Sequence, residues 1–276
     1  MAQVGTTQTE IITEHTLFAE PIFNIGNFTV TNSLLNSWLM ILFVIVISVS
    51  LRSKIKLIPG KLQSMFEMVI EMFLETFDSV TGSRAKTLKF FPLVFTFFIF
   101  ILINNWLGIL PWVGSVGKVI SEHGENIFVP FFRGGTADLN TTLALAIIGV
   151  LASHIFGIVS VGFWNYFNKF INIKALFEIP KKVFKEPTIL IINPIKVFVG
   201  LIEIVGEFAK IASLSFRLFG NIFAGEVLLA SMAALFAFGL PIPFLFLEMI
   251  VGLVQALIFA MLVLIYLTVM TTAEEH

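Results

Sequence analysis

The sequence predicts an all-α polytopic membrane protein of about five to six membrane helices, including a long tilted C-terminal hairpin, plus one amphipathic surface helix. Three observations carry this. The 276 residues are 57% hydrophobic, with a mean hydropathy of +0.97. Only 13% are charged, where a soluble domain averages about 25%. Several apolar runs approach or exceed the ~20 residues needed to cross a bilayer. The net charge of -1, with basic residues spread over the flanks of apolar runs, gives no sign of nucleic-acid binding. Cysteine is absent, which excludes disulfides, thiolate metal sites and cysteine catalysis. Phenylalanine (32) far outnumbers tyrosine (2), favouring lipid-facing and helix-packing surfaces.

Residues 1–33 hold Glu10, Glu14 and Glu20 but no lysine or arginine, so they lack the basic start of a cleaved signal and read as a retained external tail. The apolar run 34–51 forms a first membrane helix. The cluster Arg52, Lys54, Lys56 and Lys61 then places that end in the cytoplasm and the N-terminus outside. In 59–82, Leu62, Met65, Phe66, Val69, Ile70, Phe73 and Phe77 recur at helical spacing, with Glu67, Glu71, Glu75 and Asp78 on other faces, which predicts a helix lying on the membrane surface. Residues 90–110 form the second span, with Asn104 and Asn105 near its outer end and a breaker at Gly108 to Pro111. An outer, glycine-bearing loop over 112–137 follows, with Lys118, Glu122, His123, Glu125 and Arg133. The third span covers 139–163, with Thr136 or Asp138 placed to cap it and His154 well inside. Residues 165–196 carry six lysines and Pro180, Pro187 and Pro194, which predicts an irregular cytoplasmic segment or a shallow apolar hairpin near 188–192. The hairpin 197–238 and 244–272 closes the chain, turning at Gly239 to Pro243 and returning the C-terminus to the cytoplasm. About 40 helical residues span roughly 60 Å, twice the ~30 Å hydrocarbon core, so the first arm must tilt, start among the headgroups, or break.

The first arm carries an ordered polar stripe. At about 100° per residue, with Glu203 at zero, Glu207 falls near 40°, Lys210 near 340°, Arg217 near 320° and Asn221 near 0°, while Glu226 lies off the stripe near 140°. On the last helix, Glu248, Gly252, Gln255, Phe259 and Tyr266 share a face. Antiparallel pairing of Arg217 with Gln255, and of Glu226 with Glu248, implies one turn centre at about 236 to 237. That register sets a cation beside an amide at one depth and two carboxyls together at another. An intramembrane arginine costs roughly 2.5 to 3.5 kcal/mol. Three readings are open for it: snorkelling to the headgroups, a structural ion pair with Glu203 or Glu207, or a place on an ion path. Two nearby carboxyls in a low dielectric resist joint ionisation, which suits proton entry; the alternative is two separate carboxylates in water-filled crevices. For His154 the plainer alternative is a hydrogen-bonded core histidine.

The segment "SLSFRLFGNIFAGE" (213–226) with "VQALIFAMLVLIYL" (254–267) resembles subunit a of F-type ATP synthases, the stator subunit of the membrane sector. "TADLNTTLALA" (136–146) and "INNWLGILP" (103–111) are similar to two further blocks of that family. The resemblance implies that Arg217 is the essential residue for translocation and Gln255 its conserved glutamine partner. It makes Asn221 the asparagine that follows that arginine on the proton path, places Glu226 and Glu248 with the outer half-channel, and Glu203, with Ser213 and Lys210 nearby, with the cytoplasmic exit. Glu207 joins the cytoplasmic side, and Asn105, Asp138 and His154 are weaker members of the proton path. Many bacterial relatives carry histidine where this chain has Glu248. The implied function is proton translocation through two offset half-channels, coupled to rotation and ATP synthesis, in a subunit that is not itself catalytic. The implied partners are a ring of c subunits facing Arg217, b-type peripheral stalk subunits, the rest of the complex and the bilayer of an energy-coupling membrane. No cofactor or metal is implied, and no P-loop is present. The alternative is an independent secondary ion transporter, which predicts repeated halves and paired broken helices; neither is visible.

Overall fold

The computed structural model describes residues 11–12, 16–52, 55–110, 113–122, 125–171, 189–236 and 239–272. The lysines at 174, 181, 182 and 185, His123 and the breaker Pro111 lie outside the described residues. The described chain is mainly helical. Its elements are β1 (Ile11–Ile12), β2 (Pro21–Ile25), β3 (Phe28–Thr31), α1 (Asn32–Arg52), α2 (Lys61–Thr81), α3 (Arg84–Gly108), β4 (Gly117–Glu122), β5 (Glu125–Pro130), a 3-10 turn (Gly135–Ala137), α4 (Leu139–Val161), α5 (Phe163–Ile171), α6 (Ile189–Leu235) and α7 (Pro241–Thr271). Among the described residues, α1, α3, α4 and α7 have the length and apolarity to cross a membrane. The chain is an integral membrane protein.

Two compact units divide it. The first comprises Met1–Gly60, Phe98–Thr142 and Arg217–Leu257, and the second Lys61–Phe97, Leu143–Phe216 and Ile258–His276.

In the first unit the region read from sequence as an outer loop over 112–137 is built from strands. β4 and β5 form an antiparallel hairpin in which Lys118 pairs with Val129 and Ile120 with Ile127. β1 joins it in parallel, Ile11 opposite Asn126. Alternation is short here and the glycines dominate the composition, which hides strands this brief from a periodicity reading. The tail also folds. β2 and β3 pair across a two-residue turn whose Gly26 takes φ 62, a left-handed value that a hairpin turn of this length demands. The Lys118 ammonium donates to Ile22 O at 2.8 Å and joins hairpin to sheet. Val30, Met40, Ile101, Leu218 and Ala256 are among this unit's buried apolar residues.

The second unit is packed largely by phenylalanine. Phe73 meets Phe77 and Phe95 edge-on at 5.9 and 5.4 Å between centroids, Phe90 meets Phe156 at 5.6 Å, and Phe97 meets Phe259 at 5.6 Å. Such pairs add to area burial through the ring quadrupoles. The close pass of α4 on α7 occurs at Gly149, where a Cβ would lie 3.0 Å from Val263 Cγ2. At the start of α3, Arg84 binds Asp78 at 2.8 Å and Glu71 at 2.8 Å, both exposed pairs.

The long helix α6 begins at Ile189 rather than after the lysine-rich segment, and contains Pro194. Its 47 residues exceed the predicted arm. Pro194 falls in the second turn, where the forfeited backbone bond is near the fraying end, so the proline is tolerated instead of ending the helix.

Candidate functional site

In the first unit, α3, α6 and α7 assemble a polar cluster with the segment that follows β5. Arg133, only 5% exposed, extends into this cluster from the loop after β5. Its Nη2 donates to Glu226 Oε2 at 3.2 Å and to Thr16 O at 2.7 Å. Its Nη1 donates to Phe18 O at 3.1 Å and Thr16 Oγ1 at 3.3 Å. One guanidinium thus ties the tail to α6. Glu248, on α7, lies against Gly225: a Cβ there would collide with the carboxyl carbon and both its oxygens. Glycine at 225 lets the acid reach the α6 backbone, and a side chain there would push the carboxyl away. Among the described residues, nothing hydrogen-bonds to the buried Oε1 of Glu248.

Asn105 sits one turn of α7 away. Its Nδ2 donates to Gly252 O at 2.9 Å, and its Oδ1 accepts from Thr136 Oγ1 at 2.6 Å. Trp106 Nε1 donates to Met249 O at 3.1 Å, so α3 is fastened to α7 at the asparagine and at the residue after it. Asp138 precedes α4 and accepts from Asn140 N at 3.2 Å, as an N-cap does. It also accepts from Ser33 Oγ at 3.1 Å, Thr141 Oγ1 at 3.1 Å and Ala19 N at 3.3 Å. Four donors occupy it, so its position is structural as well as polar. The first turns of α1 add buried Asn36 and Ser37. A Cβ at Gly135 would stand 2.6 Å from both Ser37 Oγ and Asn104 Oδ1, so these two groups line one spot.

The second unit holds a separate cluster. Lys210 Nζ donates to Glu207 Oε1 at 2.7 Å and lies 5.0 Å from the centre of the Tyr266 ring. His154 Nε2 lies 3.5 Å from Glu207 Oε2, and His154 Nδ1 is hydrogen-bonded to the Tyr166 hydroxyl. Burial raises Tyr166 above the ordinary phenol value, and Glu207 and Glu203 push it the same way. The hydroxyl therefore keeps its proton, and it also faces Met270 Sδ at 3.5 Å. His154 is thus both a hydrogen-bonded histidine and a member of a charged group. Glu203 is half-buried and Ser213 exposed.

Arg217 lies on an open face of α6. It, Gly220, Asn221 and Ala224 are all exposed, at the i, i+3, i+4, i+7 spacing of one stripe. Asn221 Nδ2 donates to Arg217 O at 2.9 Å. Gln255 is half-buried on α7.

The family model described as ATP synthase A chain matches residues 34–268. This chain belongs to the ATP synthase A chain family. A relative named ATP synthase subunit a from Desulfotalea psychrophila is 32% identical over 244 residues, covering 87% of this chain and 83% of its own. Another, from Propionigenium modestum and named ATP synthase subunit a, sodium ion specific, is 30% identical, covering 87% of this chain and 74% of its own. The subunit a of Geotalea daltonii is 30% identical, covering 84% and 83%. As an A chain the protein is a component of the ATP synthase complex.

For this A chain the sequence reading missed three participants. Arg133 stood in a loop with no helical period to reveal its aim, although a lone arginine in a glycine-rich stretch was a usable signal. Tyr166 lay beyond the third span and gave none. Gly225 reads as an ordinary helix interruption until Glu248 is placed against it.

Proposed function

We propose that this chain is the proton-translocating stator of the membrane sector, working against a ring of c subunits that face Arg217 and held by b-type stalk subunits. The observation that carries the reading is a guanidinium on an exposed stripe of α6 that it shares with Gly220, Asn221 and Ala224. Arginine keeps its proton in proteins, so Arg217 can hold a passing rotor carboxylate ionised and cannot itself relay protons. The small neighbours Gly220 and Ala224 let a partner helix approach closely. Glu226, Glu248, Gln255, Asn221 and Asn105 belong to an outer half-channel, with Asp138 at its margin. Glu203, Glu207, Lys210, Ser213 and His154 belong to a cytoplasmic one. The N-terminus is outside and the C-terminus cytoplasmic. The proton gives up about 2.3 kcal/mol per 100 mV in crossing. Membership in a family of complex components, with no internal repeat, favours this over an independent transporter.

The test is Arg217→Ala in membranes carrying the whole synthase. Passive proton flux should rise and ATP-driven pumping should vanish. Coupled pumping that persists overturns the proposal. The same membranes driven by a sodium gradient decide the ion, since one relative is named sodium ion specific.

A further inference from the structure

We infer that α5 lies in the headgroup layer of the bilayer at the end of α4, with lipid covering its face of Phe163, Trp164 and Phe167. This concerns how the chain is seated in the membrane and does not rest on the translocation reading.

The corner between the two helices fixes where α5 can be. One residue, Gly162, separates them, and it takes φ 87, a left-handed value that favours glycine. Its N–H donates to Ile158 O and its carbonyl accepts from Tyr166 N, each at 2.9 Å, so both helices are hydrogen-bonded to the corner itself. Tyr166 is hydrogen-bonded to His154, 12 residues earlier. In one straight helix that separation spans about 18 Å, more than the two side chains can bridge. The Tyr166 ring also lies against Gly157, where a Cβ would stand 2.6 Å from Cε2, and its hydroxyl faces Met270 Sδ at 3.5 Å. α5 therefore turns off the α4 axis and packs across the last turns of α4 beside α7. Because α4 has the length and apolarity of a membrane span, a helix joined to its last residue by one glycine is held at the membrane boundary.

The faces of α5 match that position. At about 100° per residue, Phe163, Phe167 and Trp164 share an arc of about 100°. Tyr166 lies about 60° to one side of it, and Asn168 and Asn165 lie beyond the other. Tyr166 is buried, while Trp164 is 77% exposed and Phe163 and Phe167 are exposed with it. Phe163 stacks on Phe167 at 6.1 Å and meets Trp164 at 5.9 Å, so the three rings form one patch. The exposed stripe of Ile148, Leu151, Ile155 and Val159 runs up α4 to the same corner. An aromatic patch that continues the apolar face of a span is where the acyl chains give way to headgroups, and tryptophan concentrates at that depth. In water the same patch would be an unmatched apolar surface. α5 also carries Lys169 and no acidic residue, which suits phosphate headgroups. One edge thus meets the protein through Tyr166, one meets lipid and one meets water through Asn165.

The experiment places a nitroxide on single cysteines in the assembled synthase, reconstituted into phospholipid vesicles. This chain has no cysteine of its own, and the spectrum of the unsubstituted synthase, labelled in the same way, is subtracted. Labels at Phe163→Cys, Trp164→Cys and Phe167→Cys should collide several-fold more with oxygen, which partitions into lipid, than with a water-soluble nickel chelate. Asn165→Cys should reverse the ratio. Tryptophan emission supplies a milder variant: the part lost in Trp164→Phe should be quenched more by phospholipid brominated near the headgroup than by one brominated near the chain end. Nickel-dominated collisions at all three aromatic positions overturn the inference by placing the patch in water. Labels reached by neither agent, with Trp164 emission untouched by either bromolipid, overturn it by placing another subunit there. Stronger quenching from the chain end overturns it as well, by sinking α5 into the hydrocarbon core.

Discussion

The carboxyl of Glu248 rests on the backbone of Gly225, two neighbouring membrane helices meeting at an acid and a missing side chain. A methyl group at 225 would overlap the carboxyl carbon and both oxygens, so the carboxyl end of the side chain would have to move aside.

Gly225→Ala should therefore gain less stability than alanine's better helix propensity, about 0.8–1.0 kcal/mol, would give. The added methyl must push aside the carboxyl end of Glu248, and overpacking typically costs about 1–3 kcal/mol, less where the group that moves is flexible. Gly206→Ala is the control: nothing lies within 4 Å of its added Cβ, so it should be neutral or slightly stabilising. Thermal midpoints of the purified complex measure both. Equal behaviour of the two variants would mean that the 225–248 contact does not exist.

Arg133→Ala should cost stability toward the lower end of the ~3–5 kcal/mol expected when a buried pair loses one partner, since Glu226 keeps some access to solvent. It should also free the segment around Thr16 to Phe18, which the same guanidinium holds. Limited proteolysis reads this directly, and an unchanged cleavage pattern near Thr16 would count against the tie.

Glu207→Gln should destabilise more than Glu203→Gln, by about 2–3 kcal/mol, because it leaves Lys210 partly buried without its carboxylate. Adding Lys210→Met should recover part of the loss, giving a coupling of about 0.5–3 kcal/mol in the double-mutant cycle. Strict additivity would show that the pair carries no energy.

Tyr166 should titrate late. Its folded phenol ionises above the unfolded value, so its contribution to stability is complete below about pH 10 and is lost as pH rises beyond that. With Tyr266 replaced by phenylalanine, tyrosinate absorbance should be delayed well past pH 10, then appear as the fold opens. Absorbance rising at the free-phenol value would place Tyr166 in water.

Composition and apolar run length determined the membrane class and the helical architecture, because a bilayer leaves a helix of fixed minimum length as the simplest way to satisfy backbone groups. The blocks around Arg217 and Gln255 determined the family. The sequence also named Glu226 and Glu248 and proposed a common depth for them, since helix register can be counted. It could not tell which acid would be paired, because Arg133 lies 93 residues from Glu226 and reaches it only through the folded segment around β4 and β5. Nor could it find the strands of 117–130, too short for period-2 alternation to stand out, or the start of α6 ahead of Pro194. Tertiary structure decided these because partner choice, burial and close approach depend on which distant segments meet, and that information is not local to any stretch of the chain.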